Sequence, residues 1–335
     1  MSSELLATIA VIVFAMGFNY TNGFHDAANA IATAVSTRAL TPRVALILAA
    51  VANLAGALVS TEVAKTVGKG ILDASELEST SGMVVVFAAL IGAITWNLVT
   101  WYFGLPSSSS HALIGGLVGA GLAAGDTVNW HGIYEKVVIP MIFSPIIGFV
   151  LAAILMSVIL WVVRHRAPRK VNREFRFAQI FSSGAMAYGH GLQDAQKTMG
   201  IIALALVVSG HLGPDEDIPL WVIVSAASAI SLGTMSGGMR IMRTLGRRVI
   251  KMDPAAGFAA QTVASGVLFG TAHFGLPVST THVITSSVMG VGATRRLSAV
   301  RWGVAGNIAF AWVLTIPAAA IMSGVFYMIA HAIIG

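Results

Sequence analysis

The chain has 335 residues, of which 56% are hydrophobic and only 10% charged, whereas soluble domains carry about 25% charged residues. That little charge cannot cover a soluble globule, which excludes a soluble enzyme, a disordered protein and a nucleic-acid binder. What remains is a polytopic protein lying almost entirely in a lipid bilayer. The formal charge of +6 then reads as loop charge that orients spans rather than attraction to a polyanion.

In chain order, Met1-Ser2-Ser3-Glu4 lacks the positive start of a cleaved signal, so the first mature segment is expected from Leu5. The apolar stretch 4–36 would be about 50 Å long as one helix, so a break is expected near Asn19–Asp26. Further spans are expected at 44–61 and 133–163, with a paired hairpin at 82–123. The same order follows as 177–209, 220–239, a hairpin at 255–292, and 302–333. This allows ten full crossings, or six crossings plus two re-entrant hairpins. The 35 glycines fit close helix packing, as in Gly115-Gly116-x-x-Gly119-x-Gly121. Cysteine is absent, so disulfides and thiolate metal sites are excluded. No segment alternates over about ten residues as a membrane barrel would require.

The chain repeats itself. Asn22-Gly23-Phe24-His25-Asp26-Ala27 returns 168 residues later as His190-Gly191-Leu192-Gln193-Asp194-Ala195. Gly104-Leu105-Pro106-Ser107-Ser108-Ser109-Ser110-His111 returns 171 residues later as Gly275-Leu276-Pro277-Val278-Ser279-Thr280-Thr281-His282. Two blocks in the same order at nearly one offset divide the chain into homologous halves, 1–163 and 177–335, joined by a linker at 164–176.

Loop charges predict that the halves are inverted. The linker holds Arg164, Arg166, Arg169, Lys170, Arg173 and Arg176 against Glu174, which places it in the cytoplasm. Arg38 and Arg43 at 37–43 face a counterpart with Asp215, Glu216 and Asp217. Lys65 and Lys69, outnumbered by Glu62, Asp73, Glu76 and Glu78, face Arg240, Arg243, Arg247, Arg248 and Lys251 with Asp253. Asp126 at 124–131 faces Arg295, Arg296 and Arg301. Both termini are then expected outside. The expected fold class is an all-α polytopic membrane protein of two inverted-topology repeats with broken helices and hairpins, about ten membrane-embedded segments or more. That architecture is used by secondary transporters, which bind substrate near the midplane. No G-x-x-x-x-G-K-[ST] motif is present, so ATP drive would need another subunit.

Polar residues embedded in apolar sequence are the functional candidates. Asp26 and Asp194 share one repeat position and offer hard oxygens for a proton or Na⁺; the plainer reading is that each caps the half-helix after it. Asn22 and Asn29 flank the first. Ser107, Ser108, Ser109 and Ser110, and Ser279, Thr280 and Thr281, follow a proline that stops one helix and can start another. A helix start offers free N–H donors and partial positive charge, which suit a tetrahedral oxyanion. Two inverted copies would wrap one anion from both sides. His111 and His282 end these clusters and could donate to the anion, relay a proton or only pack. Lys197, three residues after Asp194, could pair with it or meet the substrate. His25, His190, Asn53, Asn97, Gln193, Gln196, Thr198, Gln261 and His273 complete the embedded set.

The blocks Asn22-Gly23-Phe24-His25-Asp26-Ala27-Ala28-Asn29-Ala30 and His190-Gly191-Leu192-Gln193-Asp194-Ala195-Gln196-Lys197-Thr198-Met199-Gly200, with Gly275 to His282, resemble the duplicated signature of the inorganic phosphate transporter (PiT) family. The resemblance spans nearly the whole chain. It implies a cation-driven importer of orthophosphate, often a homodimer, in the cytoplasmic membrane. It puts both aspartates and both Ser/Thr clusters at the central site, with Gln193, Lys197 and Thr198 beside the phosphate. Sodium-coupled members typically carry glutamate where Asn53 and Gln261 stand here. The wording is closer to bacterial low-affinity transporters, which tend to be proton-coupled and to accept a neutral metal–phosphate complex. The long internal loop of animal members is replaced by about thirteen residues, Arg164 to Arg176.

The preferred expectation is therefore phosphate symport with H⁺, with Na⁺ held by Asp26 and Asp194 as the alternative and no covalent cofactor. Sulfate permeation within the same family and a passive anion channel are competing readings. A membrane hydrolase using Ser108 or Ser109 with a histidine and Asp26 is the enzyme reading, disfavoured because hydrolysis needs one copy of a site, not two.

Overall fold

The structure, a computed structural model, describes residues 3–70, 79–125 and 128–334. The chain opens with α1 (Ser3–Ser36), a bent pair α2 (Pro42–Ala57) and α3 (Glu62–Gly70), and a hairpin of α4 (Ser79–Phe103) and α5 (Ser109–Ala124). A short α6 (Trp130–Ile133) and a π-turn, Tyr134–Val138, lead into α7 (Ile139–Val163). The order then recurs. α8 (Pro168–His190), a π-turn at Gly191–Ala195 and α9 (Gln196–Val208) answer α1; α10 (Leu220–Ser236) and α11 (Met239–Arg243) form the second bent pair. α12 (Pro254–His273) and α13 (Thr280–Arg295) form the second hairpin, and α14 (Trp302–Ile334) ends the chain.

The two sets pack crosswise. α5 lies along α14 while its counterpart α13 lies along α7, and α1 packs on α10 while α8 packs on α2. Glycine permits the tightest of these approaches. A Cβ on Gly119 would sit 2.0 Å from Ala320 O, and one on the repeat-related Gly290 would sit 2.1 Å from Phe149 O. The outer faces stay apolar: Phe143, Ile154 and Trp161 on α7, and Phe310, Val313 and Ile321 on α14, are exposed, as helices facing lipid tails require. Among the described residues five helices are long and apolar enough to cross a membrane, and up to seven spans result if each bent pair counts as one. The ten full crossings allowed by the sequence are not confirmed. α5 and α13 have 16 residues each, about 24 Å of helix, against a hydrocarbon core of about 30 Å.

The break expected near Asn19–Asp26 is not there, because α1 runs unbroken from Ser3 to Ser36. Its length is carried in one piece, since its polar side chains, not loose backbone, line the interior. Asn19, Asn22, His25, Asp26 and Asn29 are all buried. The second copy eases the same region with the π-turn at Gly191–Ala195. Sharp breaks fall elsewhere, at 73° between α2 and α3 and 58° between α10 and the segment Met239–Arg248. Gly237 at the second break has φ 78°, and Gly104 and Gly275, which follow α4 and α12, have φ 66° and 64°. These are left-handed values that glycine adopts without steric cost. Asp73, Glu76, Glu78 and Asp126, part of the expected loop asymmetry, lie outside the described residues, as does the Lys69 side chain.

Candidate functional site

Both hairpins end at the same kind of helix start. Ser108 caps α5 with its hydroxyl accepting from His111 N, and Ser279 caps α13 by accepting from His282 N, each at 3.2 Å. The prolines therefore do not open these helices; Pro106 and Pro277 stand two residues before the caps. Capping removes one orphan donor per helix and leaves the N–H groups of the first turn without intrahelical acceptors. The two starts converge. The rings of His111 and His282 meet edge to face at 4.5 Å, and His282 stacks on Trp312 at 3.9 Å. Trp312 Nε1 is in turn held by Pro106 O at 3.0 Å. His111 Nδ1 and His282 Nε2 have no hydrogen-bond partner.

α1 supplies the wall facing these starts. Asp26 Oδ1 lies 2.7 Å from His25 Nδ1 and accepts from Thr281 Oγ1 at 3.3 Å, and its Oδ2 accepts from Ser109 Oγ at 3.4 Å. Asn29 Nδ2 donates to Thr281 Oγ1 at 2.8 Å. Ser107 donates to Thr100 Oγ1 at 2.8 Å, and both lie near His25 Nε2. The opposite wall comes from the π-turn and α9. Asp194 Oδ2 accepts from Thr280 Oγ1 at 2.9 Å and lies 3.0 Å from His190 Nε2. Asp194 Oδ1 binds Lys197 Nζ. Lys197 also donates to Ser110 Oγ at 2.5 Å and to Val278 O at 2.8 Å. Neither aspartate is a helix cap, the plainer reading that the sequence left open: Asp26 sits mid-helix in α1 and Asp194 in the π-turn.

The aspartates meet. One ligand atom each from Asp26, His190 and Asp194 lies within 4.8 Å of the others, and all three residues are buried. This cluster joins groups 168 residues apart in sequence and is the one place among the described residues where acids and histidine are grouped as metal ligands. Two carboxylates and an imidazole can take a proton, a hard cation or a divalent metal. Hydroxyls and free N–H groups beside them can take an oxyanion.

Of the expected site residues, Ser109, Ser110, Thr280, Thr281, Asp26, Asp194, Asn29, His111, His282 and Lys197 come together here. Among the described residues the others make no bond to Asp26 or Asp194. Gln193 ties down the approach to α13, donating to Thr271 Oγ1 at 2.9 Å and Leu276 O at 3.2 Å while accepting from Val278 N at 3.4 Å. Asn22 and Thr198 are buried, with Asn22 Oδ1 and Thr198 Oγ1 unpartnered. The sequence embeds Gln196 among apolar residues and assigns it no task. Its Oε1 accepts from Val63 N and Ala64 N at 2.8 and 3.2 Å, capping α3 from across the fold. His190 gains weight, joining the aspartate cluster and holding Asn53 Oδ1 at 2.9 Å through Nδ1. Its repeat relation to Asn22 gave no hint of this. The enzyme reading finds no support. Among the described residues neither Ser108 nor Ser109 bonds an imidazole through its hydroxyl, which a nucleophile–base pair requires.

A model of the phosphate transporter family matches residues 22–323. A probable low-affinity inorganic phosphate transporter of Rhizobium meliloti (strain 1021) is 49% identical over 331 residues, covering 97% of each chain. A protein of the same description from Bacillus subtilis (strain 168) is 46% identical over 331 residues, covering 98% of each. A solved structure described as the sodium-dependent phosphate transporter matches with a TM-score of 0.91 at 26% identity, over 98% of this chain and 100% of that one. All of these descriptions denote transport, which is not an enzymatic activity. With the match running through both repeats and both helix starts, the chain is a helical membrane protein that belongs to the phosphate transporter family.

Proposed function

We propose that the protein imports inorganic phosphate by symport with a cation, a proton in the preferred form and Na⁺ in the alternative, through alternating access at the α5/α13 junction. The observation that carries this reading is the pairing of two buried aspartates with two helix starts, each aspartate bonded to a cluster hydroxyl. Anion donors and cation acceptors then share one small space, so neither charge need be desolvated alone. Phosphate sits between Ser109 and Ser110 on one side and Thr280 and Thr281 on the other. Ser108 and Ser279 shape the helix starts, Ser107 backs the first, and Gln193 and Thr198 border the second. Lys197 is buried beside them, bonded to Ser110. Asp26 and Asp194 hold the coupling cation, with Asn22, Asn29, His111 and His282 around it. Phosphate in its protonated form brings donors as well as acceptors, which suits carboxylate neighbours better than sulfate does.

Two neutral amides favour the proton. Asn53 and Gln261 stand where the family resemblance puts glutamates in sodium-coupled members, and both are engaged as amides. Asn53 donates to Thr234 Oγ1 at 2.7 Å; Gln261 accepts from Ser182 and donates to Ala30 O at 2.6 Å. The Asp/Asp/His cluster also suits a divalent metal carried as a neutral metal–phosphate complex. The halves 1–163 and 177–335 are inverted repeats. The linker 164–176 faces the cytoplasm, the termini face outward, and the protein works in the cytoplasmic membrane as a homodimer.

Phosphate uptake into proteoliposomes, measured under a proton gradient alone and a sodium gradient alone, tests the proposal. Uptake should follow the proton gradient and vanish in Asp26→Asn. Uptake indifferent to both gradients would overturn the coupling, and stronger uptake of sulfate than of phosphate would overturn the substrate.

A further inference from the structure

Three residues after each signature aspartate stands a polar side chain, Asn29 after Asp26 and Lys197 after Asp194. These positions share the repeat offset, and so do their contacts. Asn29 Nδ2 donates to Thr281 Oγ1 at 2.8 Å. Lys197 Nζ donates to Ser110 Oγ at 2.5 Å, and Ser110 and Thr281 are one repeat position. A neutral amide in the first repeat is therefore an ammonium in the second.

The ammonium is enclosed by oxygen. Its partners are the Asp194 carboxylate, the Ser110 hydroxyl and the Val278 carbonyl, and Lys197 is 2% exposed. An ammonium has three donors, and all three are taken, so none is left over for an arriving anion. A carboxylate, a hydroxyl and a backbone carbonyl are also the hard-oxygen ligands that suit a bare cation. Among the described residues Asp26 bonds no ammonium: its partners are the His25 imidazole and the hydroxyls of Ser109 and Thr281.

We infer that Lys197 is a tethered cation whose ammonium fills, beside Asp194, the place that an exchangeable coupling cation takes beside Asp26. The inference rests on cation-coupled phosphate transport and deepens it. This narrows the pair of carboxylates proposed above to hold the coupling cation: Asp194 is neutralised from within the chain by Lys197, and the exchangeable site is at Asp26. Lys197 thereby sets how many cations accompany each phosphate. It acts as a positioning charge and does not itself grip the substrate.

The test replaces the ammonium with the side chain that the first repeat uses, Lys197→Asn. Purified wild type and variant are melted in detergent in NaCl and in N-methylglucamine chloride, and phosphate uptake is followed against sodium concentration. Melting and uptake are also followed against pH, because the cation that replaces the ammonium is a proton in the preferred reading and sodium in the alternative. The variant should gain thermal stability from sodium or from added protons beyond that of wild type, and its uptake should depend on that cation with an order higher by one. Equal dependence of melting on both sodium and pH in the two proteins overturns the inference, as does loss of phosphate binding that neither sodium nor lower pH restores. Asn29→Lys is the second variant and should remove the response of uptake to cation gradients. If Lys197→Asn folds in neither salt, an Asn29→Lys protein with unchanged cation response overturns the inference. The melting comparison needs no transport, so a wild type that moves no phosphate would refute the transport proposal separately.

Discussion

Asp26→Asn and Asp194→Asn each remove one charge from repeat-related positions, yet their effects on stability should differ. Asp194 is held by the ammonium of Lys197 inside the protein, and both side chains are at most 2% exposed. Unit charges about 3 Å apart at an effective dielectric near 20 attract by about 5 kcal/mol. Breaking one side of a buried pair costs about 3–5 kcal/mol, because the remaining charge is left uncompensated. Asp26 leaves behind no fixed cation. Its neighbours are the His25 imidazole and two hydroxyls at 3.3 and 3.4 Å, and weakening such bonds costs about 1 kcal/mol. The gap between the variants is then about 2–4 kcal/mol, about 3–6 °C in melting temperature for a chain of this length. Melting of the detergent-solubilised proteins, followed by fluorescence-detected size exclusion, reads it directly. The double variant Asp194→Asn/Lys197→Met should recover most of the loss, since it removes the stranded charge. Equal melting temperatures for the two single variants, or Asp26→Asn as the less stable, would refute the reasoning.

Three further outcomes follow from the geometry. Gly119→Ala and Gly290→Ala each drive a methyl group into a facing carbonyl and should cost about 1–3 kcal/mol or more, whereas Gly303→Ala, with nothing within 4 Å of its added Cβ, should melt like wild type. Ser108→Ala and Ser279→Ala each lose a helix cap worth about 1 kcal/mol, and should also raise the KM for phosphate because the first turn frays; a pure stability loss would separate capping from binding. Gln193→Ala releases the segment before α13 from Leu276 O and Val278 N, so the KM should rise while the preference for proton or sodium gradients is unchanged.

The sequence placed the cluster residues at helix starts better than it placed the path of the chain between them. Ser107 to Ser110 and Ser279 to Thr281 could be placed at helix starts because Gly-Leu-Pro stops a helix whatever surrounds it. The glycines there do adopt the left-handed conformation, and the hydroxyls do cap the helices. The convergence of Asp26 with Asp194 was implied only by the duplication and the family resemblance, since no local rule brings residues 168 apart together. His190 and Gln196 escaped assignment for the same reason: their partners, Asn53 and the start of α3, are non-local.

The misplaced break in α1 has a more general cause. A run of Asn19, Asn22, His25, Asp26 and Asn29 invites the inference that the backbone itself must open to serve a buried site. Spacings of three and four residues instead put these side chains on one face, so an unbroken helix can present all of them while its own N–H and C=O groups stay paired. In the proposed reading the backbone donors for the anion come from α5 and α13, whose first-turn hydroxyls bond that face. The bends at α2/α3 and α10/α11 answer a different constraint. There the chain turns at exposed positions, with Val59 63% and Met239 48% exposed, and in the first case a buried amide from across the fold, Gln196, satisfies the N–H groups of Val63 and Ala64. A helix can remain whole where its side chains do the chemistry, and it must break where backbone atoms have to do it.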